Sequence, residues 1–164
     1  MNVKKATQEQ LEEILNIYAG AREFMRKSGN PTQWSDGYPY PEVVSADIEG
    51  DRLYVITEGE ENSELLGVFA FINERDPDYD NIDGAWLNDL PYAAIHRVAS
   101  AGKRGGIVGA CVEYCLSQTN NLKIDTHSDN IPMQKALERI GFTQCGTVYI
   151  KRAGERIAYQ LYKE

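Results

Sequence analysis

The chain has 164 residues, 42% of them hydrophobic and 26% charged, and a formal net charge of −8. That composition fits a single globular domain, 1–164, able to bury about two-thirds of the surface its unfolded form exposes. It excludes the basic footprint that nucleic acid requires, and no run approaches the roughly 18 apolar residues of a membrane helix. The opening "MNVKKATQEQLEE" has no apolar segment followed by a small-residue cleavage site, so the expectation is a cytoplasmic protein with no nucleic-acid or membrane partner. Cys111, Cys115 and Cys145 are too few and badly spaced for structural zinc, and no metal is expected. Cys111 and Cys115, four apart on an expected helix, read as small buried thiols.

In chain order, Thr7 and Gln10 form a capping box that opens a helix with Leu11, Ile14, Leu15, Tyr18 and Met25 at helical spacing. Gly29 and Pro31 stop it. "TQWSDGYPYPE" is an aromatic loop, followed by a short helix carrying Val44 and Ile48 that ends at Gly50. "RLYVITE" and "ELLGVFAFIN" read as two strands, with "GEENS" between them suggesting an antiparallel hairpin. "ERDPDYDNIDG" is an acidic connection, expected to be mobile. "YAAIHRVAS" is the next strand, then a glycine loop and a helix to about Gln118. "NLKIDTHS" is a strand. Asn130 caps a helix with Met133, Ala136, Leu137 and Ile140 on one face, ended by Gly141. "FTQCGTVYI" and "RIAYQLYK" close the chain as a hairpin around "KRAGE". No repeat or linker interrupts this α/β domain.

The glycine loop, "KRGGIVGACVEYC", joins a strand to a helix N-terminus, where unpaired N–H groups and the helix dipole favour an anion. Lys103 and Arg104 add positive charge. No window fits a P-loop, and "RGGIVG" has Arg104 where a dinucleotide fingerprint needs its first glycine. A nucleotide-binding domain is therefore disfavoured, while an ordinary αβ turn remains compatible with this segment alone.

The loop also resembles the pyrophosphate loop of the GNAT family of N-acetyltransferases, [QR]-x-x-G-x-[GA]. Lys103 stands at the Gln/Arg position, Gly106 at the Gly and Val108 at the Gly/Ala. Downstream, "DNIPMQKALERIGF" resembles the family's second signature, with Asn130, Gly141 and Phe142 on its fixed points. The order of elements resembles the family's over essentially the whole chain, and "QWSDGYP" and "HRVAS" resemble a bacterial subgroup of it, which leaves the acceptor open.

The resemblance implies a single-domain GNAT-like α/β fold whose central sheet is mixed, mostly antiparallel, splayed in the middle and flanked by helices. It implies acetyl-CoA as cofactor. Backbone N–H groups from Arg104 to Gly109, with Gly105 and Gly106 among them, would hold the pyrophosphate beside Lys103 and Val108. Main chain of Val98 and Ser100 would pair with the pantetheine arm, and Asn130 would donate to it or simply cap its helix. The acceptor would be a primary amine of a small molecule or peptide, acetylated by direct attack in a ternary complex. Alternation puts Tyr92, Ala94, His96 and Val98 on one strand face. His96 is the candidate proton relay, because imidazole titrates near neutrality, or else a structural histidine. Tyr92 stands where some members carry a carboxylate base. Where the family often has a Tyr that protonates the thiolate, this chain has Leu137; His127 and Ser128 are the nearest candidate proton donors in sequence, solvent is the alternative, and the acid stays unassigned. Trp34, Tyr38, Tyr40 and Trp86 are the candidate walls of the acceptor pocket, or a lid over the core. The remaining alternative is a module that binds coenzyme A without turnover. A monomer and a homodimer both fit.

Overall fold

The computed structural model of the chain describes residues 1–59 and 64–164. Most of the expected "GEENS" turn therefore lies outside the described residues. The elements are β1 (Asn2–Lys5), α1 (Leu11–Lys27), α2 (Pro41–Glu49), β2 (Leu53–Thr57), β3 (Leu65–Ile72), β4 (Ile82–Gly84), β5 (Ala93–Ser100), α3 (Ile107–Leu116), β6 (Asn121–Thr126), α4 (Ile131–Ile140), β7 (Thr143–Ile150) and β8 (Gly154–Tyr162). The strands form one eight-stranded sheet in the order β1-β2-β3-β5-β6-β8-β7-β4, antiparallel except where β5 meets β6. This is the mixed, mostly antiparallel sheet flanked by helices that the sequence led us to expect.

Local chemistry sets the helices. Gln10 Oε1 accepts the Thr7 N–H at 3.0 Å ahead of α1, which buries Ile14, Ile17 and Tyr18. Pro41 opens α2, where its missing N–H costs no helical hydrogen bond. Gly141 closes α4 with φ 115°, a conformation that favours glycine. On one sheet face, α3 and α4 cover Phe69, Ile95, Leu122 and Tyr159. On the other, α1 and α2 cover Leu53, Val55 and Val68. Beside them Tyr79, Ala94, Val148 and Ala158 form a third cluster. Among the described residues no helix is long and apolar enough to cross a membrane.

The acidic stretch "ERDPDYDNIDG" differs from expectation. It carries a 3-10 turn, Pro77–Tyr79, and β4, which pairs with β7 to form an edge of the sheet. Tyr79, only 2% exposed, anchors it. Gly84 and Gly146 face each other so closely that a Cβ on either would lie within 2.2 Å of a carbonyl oxygen across the pair. Three residues are too few to show alternation, and the surrounding acids mask Tyr79 and Ile82, which pack in the third cluster.

The sheet parts in its middle. β5 runs to Ser100, yet pairs with β6 only from Ala93–Ile95 to Leu122–Ile124. Just beyond, β5 carries a bulge: Val68 to Ala70 on β3 spans the pairs to Ala99 and His96 on β5, with Arg97 at φ 52°. That conformation costs a non-glycine residue about 1 kcal/mol or more and needs outside support. Asp47 accepts from Arg97 Nε at 2.7 Å and Nη2 at 3.1 Å, while the Tyr18 hydroxyl donates to the Arg97 carbonyl at 2.8 Å. The bulge also ends the expected alternation. Val98 packs with the α3/α4 cluster, whereas Tyr92 and Ala94 belong to the opposite face. Asp47 is 4% exposed, so Asp47→Ala strands a buried cation. It is expected to cost about 3–5 kcal/mol, read as a large drop in melting temperature, with Asp47→Asn milder. A surface-like loss under 1 kcal/mol would mean that Arg97 does not depend on this pair.

Candidate active site

Two clefts meet where β5 and β6 part. The smaller, about 310 Å³, is bounded by β5, β6, the loop before α2 and the β7–β8 turn; His96, Asp76, Asp125, Trp34 and Tyr38 line it. The larger, about 640 Å³, runs between α1, the end of β5 and the starts of α3 and α4. Met25, Val98, Asn130 and Met133 line both.

His96 sits between two carboxylates. Its Nε2 lies 3.0 Å from Asp76 Oδ2, and its Nδ1 lies 4.0 Å from Asp125 Oδ2. Asp125 accepts the Tyr79 hydroxyl at 2.5 Å. Asp76 is fixed twice more: its Oδ1 accepts the Asp78 N–H at 2.9 Å, and its own N–H donates to the Tyr92 hydroxyl at 2.8 Å. The hydrogen bond from His96 holds the Asp76 carboxyl below the usual carboxylate range. Burial, and then Asp125, push the Tyr79 phenol well up, so it stays a donor. An imidazole backed by a carboxylate can accept a proton and keep the resulting charge stabilised. Tyr92 supports Asp76 from behind and lines neither cleft. Sequence reasoning missed both carboxylates. Asp125 was recoverable, since alternation along "NLKIDTHS" turns Lys123 and Asp125 away from buried Leu122 and Ile124. Asp76 was not, because it stands twenty positions from His96 among other acids.

At the other cleft, Gly106 (φ 82°) immediately precedes α3. The Ala110 N–H is bonded to the Gly106 carbonyl at 3.0 Å, which leaves the N–H groups of Ile107, Val108 and Gly109 without intrahelical partners. Lys103 pairs with Glu64 at 2.8 Å and Arg104 with Glu58 at 2.7 Å, so both loop cations already face carboxylates of the β2–β3 hairpin. Arg104 holds the Glu58 carboxyl below its ordinary range. Lys103 and Val108 line the larger cleft, while Gly106 and Gly109 border a shallower recess beside Met1. The Ala101 N–H donates to the Leu66 carbonyl at 2.9 Å. Antiparallel alternation then turns the main-chain groups of Val98 and Ser100 toward the parted side of β5.

The remaining candidates divide. Asn130 caps α4, its Oδ1 accepting the Met133 N–H at 3.2 Å, and its Nδ2 donates to Gln33 Oε1 at 3.1 Å. Trp34 and Tyr38 line the smaller cleft. Tyr40 turns aside, its hydroxyl donating to Asp36. Trp86 lies in the third cluster, its Nε1 donating to the Tyr79 carbonyl at 2.9 Å beneath the Lys123 ammonium. Leu137 is fully buried in the core. His127 is tied up locally: its Nδ1 accepts the Asp129 N–H at 2.9 Å and its Nε2 faces Thr32 Oγ1 at 2.9 Å. Neither His127 nor Ser128 lines a cleft.

No protein-family model and no curated protein matches the chain. Solved structures do. A GNAT-family acetyltransferase from Streptococcus agalactiae is 30% identical, with a TM-score of 0.86 over 99% of this chain and 95% of that one. GNAT-family acetyltransferases from Bacillus cereus and Listeria monocytogenes, at 20% and 18% identity, share the fold with TM-scores of 0.63 and 0.69. Each covers 99% of this chain, and the chain covers 97% and 94% of them respectively. With an eight-stranded sheet that parts beside an unpaired helix N-terminus and a relative at 30% identity over nearly its full length, the chain belongs to the GNAT family of acetyltransferases.

Proposed function

We propose that this acyltransferase is an acetyl-CoA-dependent N-acetyltransferase acting on a primary amine of a small molecule or peptide by direct attack in a ternary complex. The observation that carries this reading is the junction of two clefts at Val98, Asn130 and Met133. Such a junction lets two substrates reach one point from separate clefts.

The larger cleft suits acetyl-CoA, since it combines an open strand edge with a helix N-terminus. Main chain of Val98 and Ser100, backbone N–H groups around Gly105, Gly106 and Gly109, and the side chains of Lys103, Arg104, Val108 and Asn130 would hold it. Bound there, it supplies an acetyl group activated as a thioester.

In the smaller cleft Trp34 and Tyr38 wall the amine, and Asp76 and Asp125 favour its approach as a cation. His96 removes a proton so that a nitrogen lone pair is free, and Asp76 stabilises the imidazolium. As the C–N bond forms, the C–S bond breaks and the amine's second proton passes from the product nitrogen to solvent. The shared lining, Met25, Val98, Asn130 and Met133, includes no carboxylate, thiol, hydroxyl or imidazole; solvent supplies the thiol proton. No cysteine lines either cleft, and burial raises the Cys111 thiol well above its ordinary value, which supports direct attack over an acyl-enzyme.

Thiol release from acetyl-CoA across amines, polyamines, amino acids and peptides tests the reading. Coenzyme A at 100 times its dissociation constant is expected to stabilise the protein by about 2.7 kcal/mol, with distinctly less from NADH or ATP at the same concentration. Equal shifts from all three would reduce the site to a generic anion nest.

A further inference from the structure

The smaller cleft contains a buried cation that the chemistry above does not use. Arg156, on β8, is 8% exposed and lines the same cavity as His96. Its Nη1 donates to the main-chain carbonyls of Ala153 at 3.3 Å and Glu155 at 2.9 Å. Among the described residues no carboxylate approaches its guanidinium within ion-pair distance. This contrasts with Arg97 in the same cavity, which is matched by Asp47 at 2.7 Å. Buried arginines are as a rule paired, because an unmatched charge out of water is costly. Burial works against the Arg156 charge, and Asp125 is the main group that supports it. A second guanidinium, that of Arg152, lies 3.4 Å from the Tyr38 ring centroid and also lines the cavity.

The cavity thus carries both signs of charge. Asp76, Asp78 and His96 line it from the segment before β4 and from β5, whereas Arg152 and Arg156 line it from the β7–β8 turn and the strand that follows it, with Asp125 on β6 between the two groups. Its volume of about 310 Å³ stands at the small end of ligand sites, which run from about 300 to 1,000 Å³. We infer that the acceptor is a small zwitterion, an amine carrying a carboxylate on the same molecule, whose ammonium end meets the Asp76–His96 side and whose carboxylate is read by the unpaired fork of Arg156. A guanidinium offers a planar pair of donors that matches a carboxylate. A polyamine, which has no anionic acceptor, would leave that fork unsatisfied. The inference rests on the N-acetyltransferase reading for the word acceptor, but the anion site itself rests on Arg156 alone.

The test compares matched acceptors: amino acids, their carboxamides, the corresponding amines without the carboxyl carbon, and aminoalkyl phosphates of similar length. In the wild type, kcat/KM for the best amino acid is expected to exceed that for its carboxamide about 10²-fold, because the amide leaves a buried charge unpaired. Arg156→Gln is expected to collapse the acid-to-amide ratio toward one. Arg156→Lys, which keeps the charge but not the fork, restores part of it. Calorimetric titration of the same compounds into the coenzyme A complex reads the anion site without turnover. Thus Arg156-dependent amino-acid binding with no acetylation would sink the enzymatic reading and leave the anion site standing. Equal use of acid and amide, a preference for the phosphate, or an Arg156→Gln variant that loses both substrates equally would overturn the inference.

Discussion

His96→Ala is expected to lower turnover about 10²-fold or more on a confirmed acceptor while leaving coenzyme A affinity nearly unchanged. The split follows from position, since His96 lines the smaller cleft and not the larger. Asp76→Asn is expected to fall in the same direction by less, because it keeps the shape and one acceptor oxygen while removing the charge behind the imidazole and the second acceptor. The pair also leaves a mark on stability. His96 holds the folded Asp76 carboxyl below its ordinary range. A depressed carboxylate contributes stability that is present above its unfolded pKa of about 4 and is lost as pH falls through the folded value. His96→Ala removes the partner, so the acid side of a melting-temperature profile should flatten below about pH 4 relative to wild type. A variant with wild-type turnover would make His96 structural. It would not promote Tyr92, whose hydroxyl is engaged with the Asp76 backbone; the next candidate is Asp125 with Tyr79.

The legible parts of this protein were those where one stretch of chain decides the outcome. The glycine loop, the cap at Asn130 and the stripes of α1 and α4 are local, and spacing alone locates them. The missed parts are decided across the sheet. Nothing in "HRVAS" marks Arg97 for a left-handed bulge; the reason lies fifty positions earlier in Asp47 and in the hydroxyl of Tyr18. That bulge turns Val98 out of the row that begins at Tyr92, so strict alternation misplaced it. Similarly, Arg156 stands in a strand where alternation offers no reason to expect a buried charge. The β7–β8 turn, folding toward Tyr38, helps to enclose it. The four aromatic candidates look equivalent in sequence, yet the chain path puts Trp34 and Tyr38 on the cleft and sends Tyr40 and Trp86 elsewhere.

The glycine loop provides the second large effect. Gly106→Val is expected to weaken coenzyme A binding severely, Lys103→Ala mildly, and Val108→Gly least. Crowding is not the reason at Gly106: a Cβ there would meet only the Met1 side chain, at an ordinary 3.5 Å. The reason is its φ of 82°. A left-handed backbone costs an L-residue roughly 1–2 kcal/mol, most for a β-branched one. The variant relieves that strain by shifting the turn that aims the N–H groups of Ile107, Val108 and Gly109. Each charge-assisted hydrogen bond so lost is worth about 1.5–3 kcal/mol, so a loss of two corresponds to at least a hundredfold in affinity. Lys103 is an exposed side chain already paired with Glu64, and such pairs contribute about 0–1 kcal/mol, at most about fivefold in affinity. Val108→Gly gives up some packing against the α3 side of the core, with little cost in helix propensity, and opens the cleft. Gly106→Asn separates conformation from bulk, because asparagine tolerates the left-handed region. It should keep the fold and lose less affinity than Gly106→Val. Were Lys103→Ala to abolish binding while Gly106→Val left it intact, side-chain charge and not the oriented backbone would be holding the phosphates.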